Sequence, residues 1–165
     1  MPSPTLFENL YQRPGFLLRR AHQISVAIFE KECIQIALTP AQYGVLYTLG
    51  HVPGIDQSTL SRALGLDRVT ILRVAKGLES RGLIVRQSGQ TDARRLSLAL
   101  TSQGQELLRL AQDSADRAVQ RLSSPLSSSE QRTLKRLLNK LCQTLDSEAR
   151  AEMATPVEPA DPTQS

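Results

Sequence analysis

Tryptophan is absent from this chain, and aromatic residues make up only 4% of it. An interior with so few rings must be filled by Leu, Ile, Val and Ala, which suits packed helices. Cysteine is equally scarce. Cys33 and Cys142 are too few for a disulfide framework, and with His22 and His51 they form no C-x-x-C or H-E-x-x-H spacing, so no metal and no cofactor is expected. Both thiols are expected to be buried, as free cysteines usually are. No apolar run approaches the roughly 20 residues that span a bilayer, and the start lacks the basic, apolar and small-residue pattern of a signal peptide, so the expected location is cytoplasmic, away from any membrane. No G-x-S-x-G elbow, glycine-rich phosphate loop or activated nucleophile is present, which argues against an enzyme.

What is there is ordinary globular composition, 40% hydrophobic and 22% charged over 165 residues, enough for one domain with an arm or tail. The net charge of +4 is modest, but it is unevenly placed. Residues 57–100 hold eight basic side chains (Arg62, Arg68, Arg73, Lys76, Arg81, Arg86, Arg94, Arg95) against three acidic ones, a local charge of +5. From Asp146 onward there are five acids and one arginine. A cationic middle with acidic or neutral flanks points to a polyanion that meets the middle alone.

Periodicity and capping signals order the chain. After an irregular start ending at Pro14-Gly15, apolar residues recur at helical spacing from Phe16 to about Leu38, predicting a long first helix. Thr39-Pro40-Ala41-Gln42 combines a cap, a proline at the first helical position and a glutamine able to bond back. The next helix runs to about Gly50. Asp56 and Gly65 bracket a short helix, Asp67 and Gly82 another, and two short helices across a glycine turn form a helix-turn-helix. Leu83–Val85 and Leu96–Leu100 then read as two strands around a polar turn, a hairpin wing. Thr101 caps a long helix that Pro125 ends, and Ser127 with Glu130 opens a last helix carrying Leu134, Leu137, Leu138, Leu141 and Leu145. The expected fold is mainly α with a small β-hairpin wing: an arm at 1–13, a helical pairing region at 14–38 and 102–149, a winged helix-turn-helix at 39–101, and a disordered tail at 150–165.

The helix after Asp67 carries the functional argument. With Ile71, Val74, Ala75 and Leu78 turned inward, the 100° step leaves Val69, Leu72, Arg73 and Lys76 facing outward, with Arg68 and Thr70 near the start. Such a face suits a major groove, where arginine forks onto guanine and an apolar side chain meets a thymine methyl. Arg73 is expected at a base or adjacent phosphate, and Arg68, Thr70 and Lys76 mainly at phosphates. At the wing tip, Arg94 and Arg95 suit a narrow, electronegative minor groove, with Asp92 orienting them through a charge-assisted hydrogen bond.

Four stretches carry a resemblance. Leu38-Thr39-Pro40-Ala41-Gln42-Tyr43, Leu78-Glu79-Ser80-Arg81-Gly82-Leu83-Ile84, Asp92-Ala93-Arg94-Arg95 and Leu100-Thr101-Ser102-Gln103-Gly104 together resemble the MarR family of bacterial transcriptional regulators over about 65 residues. The resemblance implies a homodimer joined through its first and last two helices, with Arg94 entering the minor groove of double-stranded DNA. Gly77 departs from the pattern, since a larger polar residue is usual there; a helix-interior glycine costs about 1 kcal/mol relative to alanine, which implies close backbone approach or flexibility.

The opening Arg13-Pro14-Gly15-Phe16-Leu17-Leu18-Arg19-Arg20-Ala21-His22-Gln23 is similar to the subgroup controlling catabolism of aromatic and N-heteroaromatic acids, nicotinate among them. Arg19 or Arg20 suits a bidentate carboxylate contact, His22 lies one turn from Arg19, Tyr43 suits a ring face, and His51 is a further polar candidate. The expected partners are thus a near-palindromic duplex, a second copy of the chain and a small aromatic acid effector whose differential affinity for two states releases DNA. Two other readings compete: a thiol sensor of the same fold, disfavoured because Glu30 and Glu32 beside Cys33 raise its pKa, and a winged helix that binds protein instead of DNA.

Overall fold

The computed structural model describes residues 4–88 and 96–154. Its elements in order are helices α1 (Pro4–Tyr11), α2 (Pro14–Glu32) and α3 (Pro40–His51), strand β1 (Ile55–Asp56), helices α4 (Gln57–Leu64) and α5 (Arg68–Ser80), strands β2 (Ile84–Ser88) and β3 (Leu96–Leu100), and helices α6 (Ser102–Ser123) and α7 (Ser128–Thr144), followed by a 3-10 turn at Asp146–Glu148. The strands form one antiparallel sheet in the order β1-β3-β2, with Ile84 opposite Leu100 and Ile55 opposite Leu98. This is a mainly helical winged helix-turn-helix. β1 is a two-residue strand that periodicity does not reveal, and its pairing adds a third strand to the expected hairpin.

The caps act as their chemistry dictates. Thr39 and Gln42 exchange side-chain and backbone hydrogen bonds, as do Ser127 and Glu130, so each pair closes a capping box. Asp56 accepts from the backbone of Ser58 and Thr59, and Thr101 from that of Gly104. Thr101 does more than cap: its hydroxyl donates to the Gly82 carbonyl at 2.7 Å and its N–H to that of Leu83 at 3.1 Å. One residue therefore joins the start of α6 to the chain leaving α5.

Two expectations at the start of the chain are corrected. The arm at 1–13 is not irregular: Pro4–Tyr11 is helical, and the Tyr11 ring packs 5.1 Å from that of Phe16. The next helix stops at Glu32, not near Leu38. The Cys33 N–H still reaches the Phe29 carbonyl, but Ala37 turns left-handed at φ 49°, which reverses the chain ahead of Pro40. Pro40 itself disfavours helical geometry in the residue before it, and Thr39 is extended.

Leu46, Leu49, Leu60, Ile71, Leu78, Leu83, Leu98 and Cys33 are fully buried in a core shared by α3, α4, α5, the sheet and the α2–α3 turn. At about 1.5–3 kcal/mol per buried aliphatic side chain, this cluster fixes the winged unit. α6 buries Ala111, Ser114, Ala115 and Ala118 and packs against α2 and α3, and Glu32 of α2 pairs with Arg121 at 3.1 Å and Arg117 at 3.4 Å. α7, like α2, has no buried residue. In its apolar stripe, Leu134, Leu137, Leu141 and Leu145 each stay roughly half exposed. Cys142 on the same helix is exposed, so only Cys33 meets the expectation of a buried thiol.

Candidate nucleic-acid interface

The glycine turn between α4 and α5 is locked by backbone and side chain together. Gly65 takes φ 59°, its N–H meets the Arg62 carbonyl, the Leu66 N–H returns to Ser61, and the buried Ser61 hydroxyl donates to the Leu66 carbonyl. Asp67 then caps α5, accepting from the Thr70 N–H at 2.8 Å and the Thr70 hydroxyl at 2.9 Å. Those bonds hold the Asp67 carboxyl below its ordinary range, the backbone one contributing most.

Ile71, Ala75 and Leu78 pin α5 to the core, and what remains outside is unusual for a solvated surface. Val69 is 76% exposed and Leu72 49%, beside exposed Arg68, Arg73 and Lys76. None of these three cations has a carboxylate within 4 Å among the described residues. Thr70 is half-buried and its hydroxyl is committed to Asp67. The expected site residues Asp92, Arg94 and Arg95 lie outside the described residues.

Two of the basic residues counted toward the cationic segment belong to the fold instead. Arg86 pairs with Glu79 at 3.0 Å, joining β2 to α5. Arg81 donates to the carbonyls of Ala37 and Ile36. Residue type alone could not separate these from the outward-facing cations. Gly77 meets no atom within 4 Å of where a Cβ would stand, so no close approach among the described residues accounts for it.

The residues considered for an effector fall in two groups. Arg19, Arg20 and His22 are exposed along α2, with Arg19 stacked 5.0 Å over the Phe16 ring and bonded to Gln23. On α3, Tyr43, Tyr47 and His51 form a row with ring centroids 5.9 and 4.3 Å apart, and Phe29 of α2 touches Tyr43 at 5.5 Å. Tyr43 is half-buried, and burial raises its phenol pKa. A cleft of about 340 Å³ lies between α3, β3 and α6, with Leu49, Pro53, Leu100 and Leu108 in its wall and Arg109 and Gln112 at its edge. None of the five effector candidates lines it.

A profile of the MarR family matches residues 38–95. A putative transcriptional regulatory protein for the hcr operon of Thauera aromatica is 36% identical over 140 residues, covering 84% of each chain. The chain belongs to the MarR family. Among solved structures of this kind, Bordetella bronchiseptica BpsR, described in terms of its regulation by 6-hydroxynicotinic acid, superposes with a TM-score of 0.76 at 29% identity, covering 79% of this chain and 94% of that one. The transcriptional repressor CouR bound to a 23-mer DNA duplex gives 0.75 at 31% identity, covering 81% and 94%. A MarR-family regulator of transcription accounts for the winged helix-turn-helix and for its outward cations. Among the described residues no helix is long and apolar enough to cross a membrane, and no cluster of three metal-ligating side chains occurs.

Proposed function

We propose that this MarR-family regulator is a homodimeric repressor that places α5 of each subunit in a major groove and leaves its operator when a small aromatic carboxylic acid binds. The observation that carries the DNA contact is the outward face of α5, where Val69 and Leu72 stand exposed among Arg68, Arg73 and Lys76, which have no ion-pair partner among the described residues. Apolar side chains gain nothing from water there, whereas thymine methyls and the edges of bases suit them. Arg73 meets a base or an adjacent phosphate, Arg68, Thr70 and Lys76 mainly hold phosphates, and Arg94 and Arg95, oriented by Asp92, reach the minor groove. Both the N–H and the hydroxyl of Thr70 are bonded to Asp67, so its phosphate contact requires releasing Asp67.

The half-exposed leucines of α7 support the homodimer, since an apolar stripe of that length left uncovered by the described residues suits a second copy. Two recognition helices set about one DNA turn (~34–36 Å) apart then require a near-palindromic site. For the effector, support comes from BpsR and its hydroxynicotinic acid and from the chemistry of Arg19, Arg20, His22, Tyr43 and His51, which supplies cations for a carboxylate and rings for a flat body. A thiol sensor fits less well. Cys33 is fully buried, and burial, with a smaller contribution from Glu32, raises its pKa against the opposing pull of Arg117.

The test is enrichment of duplexes from a randomised pool by the full chain, followed by a panel of hydroxylated benzoates, cinnamates and nicotinates screened for both thermal stabilisation and DNA release. The expected result is an inverted repeat and at least one acid that does both. Enrichment of no common sequence would overturn the DNA assignment, and stabilising acids that leave the duplex bound would overturn the effector assignment.

A further inference from the structure

The end of the described chain does not leave the protein where a disordered tail from residue 150 would. After the 3-10 turn, the Met153 N–H donates to the Asp146 carboxylate at 3.0 Å, and the Ala154 N–H donates to the Arg62 carbonyl at 2.9 Å. The Met153 side chain lies over the α4–α5 turn, so close that a Cβ on Gly65 would stand 2.9 Å from Met153 Cγ. The segment Ala149–Ala154 thus returns from α7 to the helix-turn-helix.

It brings a charge with it. A cleft of about 460 Å³ separates this segment from α4 and the start of α5, with Arg62, Asp67 and Arg68 on one wall and Arg150 and Glu152 on the other. All three arginines are exposed, and none has a carboxylate within 4 Å among the described residues. Asp67 is occupied in capping α5, and Glu152, although it lines the cleft, pairs with none of them. Three arginines against two carboxylates, with no ion pair between them among the described residues, leave the cleft net positive and suited to an anion from outside. Arg68 stands one helical turn before Leu72, so the cleft adjoins the outward face of α5.

We propose that Ala149–Ala154 is part of the DNA-binding head and that Arg150 contacts a backbone phosphate beside Arg62 and Arg68, at the flank of the groove that α5 enters. The assignment rests on the DNA-binding reading above. Phosphate is the matching chemistry because duplex backbone presents a row of fixed negative charges, and such contacts fix register without reading sequence.

The experiment measures the salt dependence of binding to the enriched duplex and to a scrambled one, for the full chain and for Arg150→Gln, Ala154→Pro and the double variant. Ala154→Pro removes the N–H that holds the segment while leaving every charge in place. Arg150→Gln should lower the slope of log affinity against log salt by about one per half-site and weaken both duplexes alike. Ala154→Pro should have a similar effect, and the double variant should be no weaker than either single one, because a released segment no longer positions Arg150. Thermal unfolding checks that each variant is folded, with Met153→Ser as the substitute if Ala154→Pro is not. An unchanged slope in Arg150→Gln, or losses that add fully in the double variant, would overturn the proposal while leaving the DNA-binding reading intact. Wild-type binding without salt dependence would overturn both.

Discussion

Arg81 grips the turn at Ala37: its two terminal nitrogens donate to the carbonyls of Ala37 at 2.9 Å and Ile36 at 3.1 Å. The chain immediately after α5 is thereby tied to the connection between α2 and α3, where Ala37 is left-handed and helical bonding has ended. Arg81→Ala should lower stability by about 1–3 kcal/mol, the usual range for hydrogen bonds to a charged group. Arg81→Lys should recover only part of it, since an ammonium cannot reproduce the planar fork. Urea unfolding measures both, and the salt slope of DNA binding should stay at the wild-type value.

Gly77 and Gly104 should respond oppositely to alanine. At Gly77 an added methyl meets nothing within 4 Å and the backbone is already helical, so Gly77→Ala should raise stability by about 0.5–1 kcal/mol. At Gly104 the methyl would overlap the Leu83 carbonyl oxygen, which belongs to backbone and cannot swing aside. Gly104→Ala should cost about 1–3 kcal/mol or prevent folding. Thermal unfolding of the two variants against wild type is sufficient.

Asp67 makes the start of α5 sensitive to acid. Its pKa is lowered on folding, so its stabilising contribution is complete above the unfolded value and is lost as pH falls through the lowered one. Asp67→Asn retains a capping oxygen and should unfold close to wild type at neutral pH, while Asp67→Ala should unfold earlier. Below about pH 4 the gap between wild type and Asp67→Ala should narrow. Melting temperatures across that range decide it.

The two thiols should label in a fixed order. Cys142 is exposed, whereas Cys33 is buried with its pKa raised, which keeps it protonated and unreactive at neutral pH. Peptide mapping after brief alkylation of the native protein should find Cys142 modified first, with Cys33 following only on unfolding. Early modification of Cys33 would revive the thiol-sensor reading.

Capping chemistry was the most legible part of this fold. Thr39 with Gln42, Asp56, Asp67, Thr101 and Ser127 with Glu130 each start a helix where local hydrogen bonding requires one. Features set by distant contacts were not legible. α1 is too short to be stable alone and depends on Tyr11 meeting Phe16. The turn that follows the early end of α2 is left-handed at Ala37, whose carbonyl is held by Arg81 from forty-four residues away. The same holds for the site: helical periodicity found the outward face of α5, yet it could not tell that Arg81 and Arg86 serve the fold or that Arg150 returns to Arg62 and Arg68.

In the proposed function, α5 reads DNA through the side chains it turns away from the core. The most direct test is the affinity of Arg73→Ala for the enriched duplex, compared with the same duplex scrambled. A loss of about 1–3 kcal/mol confined to the enriched duplex is predicted. Unchanged affinity for it, in a variant that folds and pairs like wild type, would contradict the claim.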